Sequence, residues 1–328
     1  MKQILVTGGA GFVGRHLCKA LLDRGDHVTC VDSIVPLTGG ICPNDKGWPL
    51  YNPFDYDNFI FIKQDCRHYF ETSQHTEFDE VFHLAAIVGG RAMIENNPLA
   101  VAQDLAIDAM FWQWAQVNRP AKIVCFSSSA AYPIRLQRAD SYVLLREDMI
   151  SFDKDLGTPD MSYGWSKLTH EYLATLAHKL HGLDVVTYRP FSGYGEDQDL
   201  AYPFPSICQR VIGEKNARTI HVWGSGNQMR DFIHIEDCIR GVLETMHKIH
   251  DASALNLSSG IFTPFRDLAQ QVANQVGFTP EIVGTTTMPE GVFARGGDTT
   301  KQHQMGFSPS ISLTDGVKRS LNFLQHQI

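Results

Sequence analysis

The chain has 328 residues, 43% of them hydrophobic and 20% charged, and a formal net charge of −8. That is a globular composition, long enough for one large α/β domain and a smaller one. Scattered basic residues on an acidic background exclude nucleic acid and anionic membrane as partners, while a few placed arginines still suit an anionic small molecule.

The chain opens on a strand, Gln3–Thr7, which runs into Thr7-Gly8-Gly9-Ala10-Gly11-Phe12-Val13-Gly14 and a helical pattern over 11–24. Gly8, Gly11 and Gly14 recur every third residue. Glycine is needed where the chain turns sharply, where backbone must touch a pyrophosphate, and where a helix packs closely on a strand. The start of the helix, at Phe12 and Val13, offers free N–H groups and partial positive charge to phosphates. The second strand, 27–31, closes on Asp32. A carboxylate there accepts hydrogen bonds from both ribose hydroxyls and repels a 2′-phosphate, which predicts NAD rather than NADP.

Residues 33–57 break the rhythm with Pro36, Pro43, Pro49, Pro53, Gly39-Gly40 and the aromatics Trp48, Tyr51, Phe54 and Tyr56. Linkers are poor in aromatics, so this reads as a long ordered loop. A third strand, 59–62, precedes Asp65-Cys66 and a short helix near 67–72. A carboxylate at Asp65 could reach the adenine amino group. The fourth strand, 80–84, ends in His83-Leu84-Ala85-Ala86, small residues where a cofactor needs close approach. Each of these stretches alone reads as plain packing, and His83 as a structural histidine.

A helix over 99–118 leads to a fifth strand, 122–126, which ends in Ser127-Ser128-Ser129. Ligands of a doubly wound sheet bind at the carboxyl ends of its strands, so a serine there can hydrogen-bond a reacting hydroxyl. The next helix, 162–181, opens with Ser162-Tyr163-Gly164-Trp165-Ser166-Lys167. Tyr163 and Lys167 are four apart and share one helix face. A tyrosine, with its ordinary pKa of about 10, becomes a usable proton acceptor beside an ammonium and a positive nicotinamide ring. Lys167 can also hold the nicotinamide ribose. A Tyr/Lys pair by itself is common on helix surfaces; the order of glycine loop, Asp32, strand-end serines and Tyr/Lys helix is not.

A sixth strand, 183–188, completes an alternation that predicts a doubly wound parallel sheet of Rossmann type. Beyond Arg189 the pattern is irregular, with a strand near 232–234 and helices near 235–247, 264–276 and 313–324. The seven cysteines, Cys18, Cys30, Cys42, Cys66, Cys125, Cys208 and Cys238, contain no CxxC pair. They read as reduced thiols of a cytoplasmic protein, and no metal site is expected. The opening strand predicts no signal peptide, and no apolar run is long enough to span a bilayer.

TGGAGFVG, the acid after strand two, HLAA, SSSAAY, YGWSK, RPFSGYG and GSGNQMRDFIHIED together resemble the extended short-chain dehydrogenase/reductases. The likeness is greatest to their nucleotide-sugar epimerase/dehydratase family and covers nearly the whole chain. The resemblance implies Tyr163 as base, Lys167 as its partner, and Ser128, four before Tyr132, as the hydroxyl-binding serine. It implies Leu84, Ala85, Ala86 and Pro190 at the cofactor, and Gly89, Ser129, Ser192 and Tyr202 at the substrate. Arg230 and Arg295 resemble the arginines that grip the substrate diphosphate; for either one a surface ion pair is the competing reading. The implied division is a cofactor domain over 1–190 with a returning segment near 228–257. A smaller mixed α/β substrate domain takes 191–227 and 258–328.

Departures narrow the chemistry. The family's 4,6-dehydratases carry an Asp-Glu pair where this chain has Ser129-Ala130. Its decarboxylases carry glutamate at the position of Ala130, and its 3,5-epimerases and fucose synthases carry cysteine. Ser192 stands where the family has Asn, and Glu196 where it has Pro. The resemblance therefore implies plain hydride chemistry at one sugar carbon, with 4-epimerisation through a transient keto sugar as the leading reading. A 4-dehydrogenase or ketoreductase on the same residues is the alternative. A non-catalytic NAD-sensing regulator is disfavoured by the joint presence of serine, Tyr163 and Lys167. Val88-Gly89-Gly90 and Tyr132-Pro133 resemble GDP-mannose-type epimerases, so a GDP-sugar stands beside a UDP-sugar as candidate substrate. A homodimer through the helices near 99–118 and 162–181 is implied as well.

Overall fold

Short runs that are apolar on both faces need cover on both faces, and helix-period segments between them supply it. In the computed structural model, which describes residues 1–35, 38–43, 47–73, 77–288 and 290–326, this is the outcome. Pro36 of the long loop lies outside the described residues. The first half runs β1 (Gln3–Thr7), α1 (Phe12–Asp23), β2 (His27–Asp32), β3 (Phe59–Lys63), α2 (Cys66–Thr72), β4 (Glu80–His83), α3 (Arg91–Asn96), α4 (Pro98–Val101), α5 (Asp104–Asn118) and β5 (Lys122–Phe126). Then come α6 (Met161–His181), β6 (Val185–Pro190), β7 (Ser192–Tyr194), α7 (Pro203–Gly213), β8 (Thr219–Trp223), β9 (Met229–Arg230), β10 (Phe232–His234) and α8 (Ile235–Thr245). The chain closes with β11 (Asp251–Leu257), β12 (Thr263–Pro264), α9 (Phe265–Val276), β13 (Glu281–Thr285), β14 (Ala294–Arg295), α10 (Thr300–Gln304) and α11 (Leu313–Gln325).

Seven strands form one sheet in the order β11-β6-β5-β4-β1-β2-β3. Every neighbouring pair is parallel. Strand order reverses between β1 and β4, which opens the ligand crevice of a doubly wound sheet at that point. Side chains alternate across the sheet. Ile4, Val6 and Val124 face Leu17 and Leu21 of α1 and Ile239 and Val242 of α8. Leu5, Ile123 and Cys125 face Phe111 and Trp114 of α5 and Ala174 and Ala177 of α6. A separate core joins Phe204 and Ile207 of α7, Val272 of α9 and Val317 and Leu321 of α11. Among the described residues no helix is long and apolar enough to cross a membrane.

Several elements differ from expectation. The helix expected over 99–118 is interrupted, with Ala102 and Gln103 separating α4 from α5. Pro98 starts α4 at its first turn, where a missing N–H costs nothing. The fourth strand stops at His83, and the sixth begins at Val185 because Gly182, at φ +65°, turns the chain out of α6. β11 was not foreseen as a strand; it extends the sheet beside β6, with a register shift between Asp251 and Ala254. α7 was not foreseen; it opens with Pro203 and Pro205, which a first helical turn tolerates. The described part of 33–57 is packed on α1: Ile41 N–H donates to the Ala10 carbonyl, and the Tyr51 hydroxyl to the Arg15 carbonyl. All seven cysteines are unpaired, and six are buried, Cys42 only partly.

Candidate active site

A parallel sheet puts the ends of β1, β2, β4, β5 and β6 on one edge, so residues far apart in sequence meet there. The turn after β1 is tight. Gly8 has φ +70°, and a Cβ on it would lie 2.7 Å from the Ala85 nitrogen. The glycine loop therefore rests directly on Leu84-Ala85 at the end of β4. A Cβ on Gly14 would sit 2.5 Å from both the Gly8 oxygen and the Gly9 Cα. α1 begins at Phe12 after Gly11, with no side chain capping it. Its first-turn N–H groups, Phe12 and Val13 among them, thus remain for a ligand. Gly14→Ala drives backbone against backbone, and we expect it to weaken dinucleotide binding by about 1–3 kcal/mol, read by fluorescence titration with NADH.

Asp32 closes β2 nearly buried. It accepts the Ala10 N–H at 3.0 Å and the Ile34 N–H at 2.8 Å. Burial raises its pKa and these two hydrogen bonds oppose the rise. The carboxylate so tied pins the glycine loop to the end of β2 and retains further lone pairs for a ribose. Asp65 is half exposed, caps α2 through the Arg67 N–H at 2.9 Å and pairs with the Arg67 guanidinium at 2.7 Å. Cys66 beside it is buried, which pushes its thiol up to about 12. The cradle of glycine backbone, bare helix start and strand-end carboxylate fits a dinucleotide.

The strand-end serines separate by role. Ser127 is buried and donates to Glu171, whose other oxygen pairs with Arg189 at 2.6 Å. Ser128 is only partly buried and accepts the Ala130 N–H at 3.1 Å. Tyr132 is fully buried and donates to Asn256 of β11 at 2.7 Å, which anchors the serine turn. Gly164 lets the first turn of α6 reach this turn, since a Cβ there would be 2.5 Å from the Ala130 oxygen. Ser128 and Ser129 are so brought to the helix that carries Tyr163. The Lys167 ammonium lies 5.8 Å from the centre of the Tyr163 ring. Burial pushes Lys167 down, but Tyr163, Asp104 and Asp108 outweigh it and leave the ammonium above its usual pKa.

Behind Lys167 lies a buried polar cluster that the sequence did not announce. His83 Nε2 is 3.2 Å and His170 Nδ1 2.9 Å from the same Asp108 oxygen. His83 Nδ1 is 2.7 Å from the Thr7 hydroxyl. Burial pulls His83 down to about 4, while Asp108 lifts the buried His170 to about 10. A neutral His83 satisfies both neighbours by donating from Nε2 and accepting at Nδ1. Asp104, one turn before Asp108, accepts the Ile87 N–H, and burial raises it to about 6.

Tyr202 is the N-cap of α7, and burial followed by the nearby Tyr163 raises its phenol. Pro190 ends β6, and Ser192 opens β7 with its N–H on the Asp231 carbonyl at 2.9 Å. Gly89 is packed against Met93. Arg230 donates to the Met229 and Val292 carbonyls at 2.8 and 2.9 Å. Arg295 donates to Gln137 at 2.6 Å and pairs with Asp160 at 2.8 Å. Its side chain is 13% exposed, so the ion pair is real but not on the surface. A third arginine, Arg91 of α3, joins them and was missed in sequence. Asp231 was missed too; it accepts from Ser259, Gly260 and Gly297 N–H groups and ties the β9–β10 junction to the turn after β11 and to the chain just after β14.

The model of the NAD dependent epimerase/dehydratase family matches residues 4–257. The chain is 26% identical to a UDP-glucuronate 4-epimerase of Thermodesulfobacterium geofontis, over 100% of this chain and 98% of that one. It is 24% identical to the GDP-L-fucose synthase of Escherichia coli, over 99% of this chain and 98% of that one. Among solved structures, the UDP-glucuronic acid 4-epimerase of Bacillus cereus, in complex with UDP-glucuronic acid and NAD, superposes with a TM-score of 0.80. That match is 23% identical and covers 99% of this chain and 100% of the other, a likeness of fold.

Proposed function

The chain belongs to the NAD-dependent epimerase/dehydratase family, an NAD-dependent enzyme by that membership, and from this we propose that it epimerises a nucleotide-diphosphate sugar, at carbon 4, through a transient keto sugar. The observation that supports the reading is that Gly164 seats the first turn of α6, with Lys167 5.8 Å from the Tyr163 ring centre, on the turn that follows Ser128. NAD, held by the glycine loop and Asp32, would supply reversible hydride acceptance at the sugar carbon. Tyr163 accepts the proton of the sugar hydroxyl as the carbonyl forms, and returns it after the keto sugar has turned over. Lys167, kept charged against its burial by Tyr163, Asp104 and Asp108, sets an ammonium 5.8 Å from the phenol ring. Ser128 orients the reacting oxygen. Asp32 holds the ribose, Asp65 and Cys66 border the adenine, and Leu84–Ala86 and Pro190 line the dinucleotide.

Ala130 is buried beside Ser129 and carries no acid or base, which supports hydride chemistry without elimination. Arg230 and Arg295 take the diphosphate, and Gly89, Ser129, Ser192 and Tyr202 border the sugar. The UDP-linked and GDP-linked relatives leave both bases as candidates. Exposed Leu105 of α5 and Trp165 and Tyr172 of α6 support a homodimer through these helices. The domain division at 190, with 228–257 returning, and a cytoplasmic setting belong to the same reading. Incubation of the enzyme with UDP- and GDP-sugars is expected to produce the 4-epimer without net NADH. Accumulating NADH with a released keto sugar would instead establish the dehydrogenase.

A further inference from the structure

Three guanidinia converge above α6. The turn at Gly291 marks the place: a Cβ there would lie 3.4 Å from Arg91 Nε and 3.5 Å from Arg230 Nη2. Arg295 reaches the same neighbourhood through Asp160, its Nη2 being 2.8 Å from Oδ2 of that carboxylate. Arg91 Nη1 is 2.9 Å from Oδ1 and 3.0 Å from Oδ2 of Asp160, and Arg91 Nε is 2.6 Å from Glu95. Arg230 pairs with no carboxylate among the described residues; its partners are backbone carbonyls. Burial, then Arg295, pulls its pKa down to about 9, the mark of a cation short of an anion. Among the described residues the carboxylates in ion pairs with these arginines are Asp160 and Glu95 alone; Glu290, tied to the Ser225 hydroxyl at 2.8 Å, acts on Arg230 only from a distance.

Asp160 is itself nearly buried, and the two arginines overcome that burial and hold its carboxyl below the usual range. It also sits at the head of α6: its N–H donates to the Ala130 carbonyl at 3.0 Å and its own carbonyl accepts from Gly164 at 2.8 Å. The carboxylate therefore stands between the serine turn and the helix of Tyr163.

Resting on the nucleotide-sugar reading, we propose that Arg91 is a third arm of the diphosphate cradle and that Asp160 is an internal anion which the substrate's diphosphate displaces. A diphosphate presents more acceptor oxygens and more charge than one carboxylate, so it satisfies Arg230 as well as the two arginines Asp160 now occupies. Displacement costs the ligand the two ion pairs, and the charge of Asp160 lowers apparent affinity as any competing occupant does. The exchange frees Asp160 at the N-cap of the helix that bears Tyr163.

Calorimetric titration of the NAD-loaded protein with UDP, GDP and inorganic pyrophosphate tests this without turnover. The wild-type protein is expected to bind at least one of the three. Asp160→Asn is expected to bind it about tenfold tighter and Arg91→Gln about tenfold weaker. An acid that merely braced the arginines would loosen binding when neutralised, so weaker or unchanged binding by Asp160→Asn overturns the proposal. Arg91→Gln, on a partly exposed helix, keeps the test open should Asp160→Asn fail to fold; unchanged binding by it overturns the proposal too. Failure of all three probes to bind wild type does the same. A protein that passes these binding tests yet epimerises no nucleotide sugar leaves the cradle standing and refutes the epimerase reading alone.

Discussion

Tyr163→Phe is expected to lower turnover of the accepted nucleotide sugar by about 10²–10⁴-fold with NAD binding intact. The substitution removes one hydroxyl and keeps the ring, so the packing of α6 on the serine turn through Gly164 is preserved. Lys167 keeps its place 5.8 Å from the ring centre, with Asp104 and Asp108 still beside it. What is lost is the group that takes the proton while the carbon gives up its hydride. The two measurements are the rate of epimer formation and the affinity for NADH by fluorescence. Turnover within a few-fold of wild type would remove Tyr163 from the chemistry. Loss of NADH binding along with turnover would make the effect structural.

His170→Ala is expected to destabilise the fold by about 3–5 kcal/mol, the cost of leaving one partner of a buried ion pair alone. His170 and Asp108 are both fully enclosed and 2.9 Å apart. The pH dependence separates this from loss of volume. His170 titrates at about 10 in the fold, against about 6.5 when unfolded. Its contribution is therefore complete below the unfolded value and is lost as pH rises through the folded one. Asp108 is shifted the other way: burial opposes, but His170 and His83 hold its carboxyl below the usual range. Its contribution is present above about pH 4 and is lost as pH falls through the depressed value. Melting temperatures of wild type and His170→Ala should thus differ most near pH 6 and converge toward pH 10. A gap of constant size over that range would mean that His170 contributes packing and not charge.

Parts of the protein were legible because they are local. The glycine triplet, the acid five residues after the start of β2, and Tyr163 with Lys167 one helical turn on each state their role through spacing on a single element or its flanks. Their grouping at one sheet edge followed from strand–helix alternation alone, since parallel strands share an end. The boundaries that failed did so where local pattern and tertiary burial disagree. α5 turns Asp104 and Asp108 into the core, so its apolar period misleads. α7 begins with two prolines, which look like a stop and serve as a start.

The sequence by itself determined the doubly wound sheet, because that depends on periodicities of two and four residues, and it pointed to the glycine loop and the Tyr163/Lys167 pair as a candidate site. Only the tertiary structure showed that Ser127 is not available, since Glu171 consumes it. It alone showed Arg91 beside Arg230 and Arg295, and Asp108 between His83 and His170. Those meetings join elements far apart along the chain, and charge balance across such distances is a property of how helices stack on the sheet. No spacing along one segment encodes it.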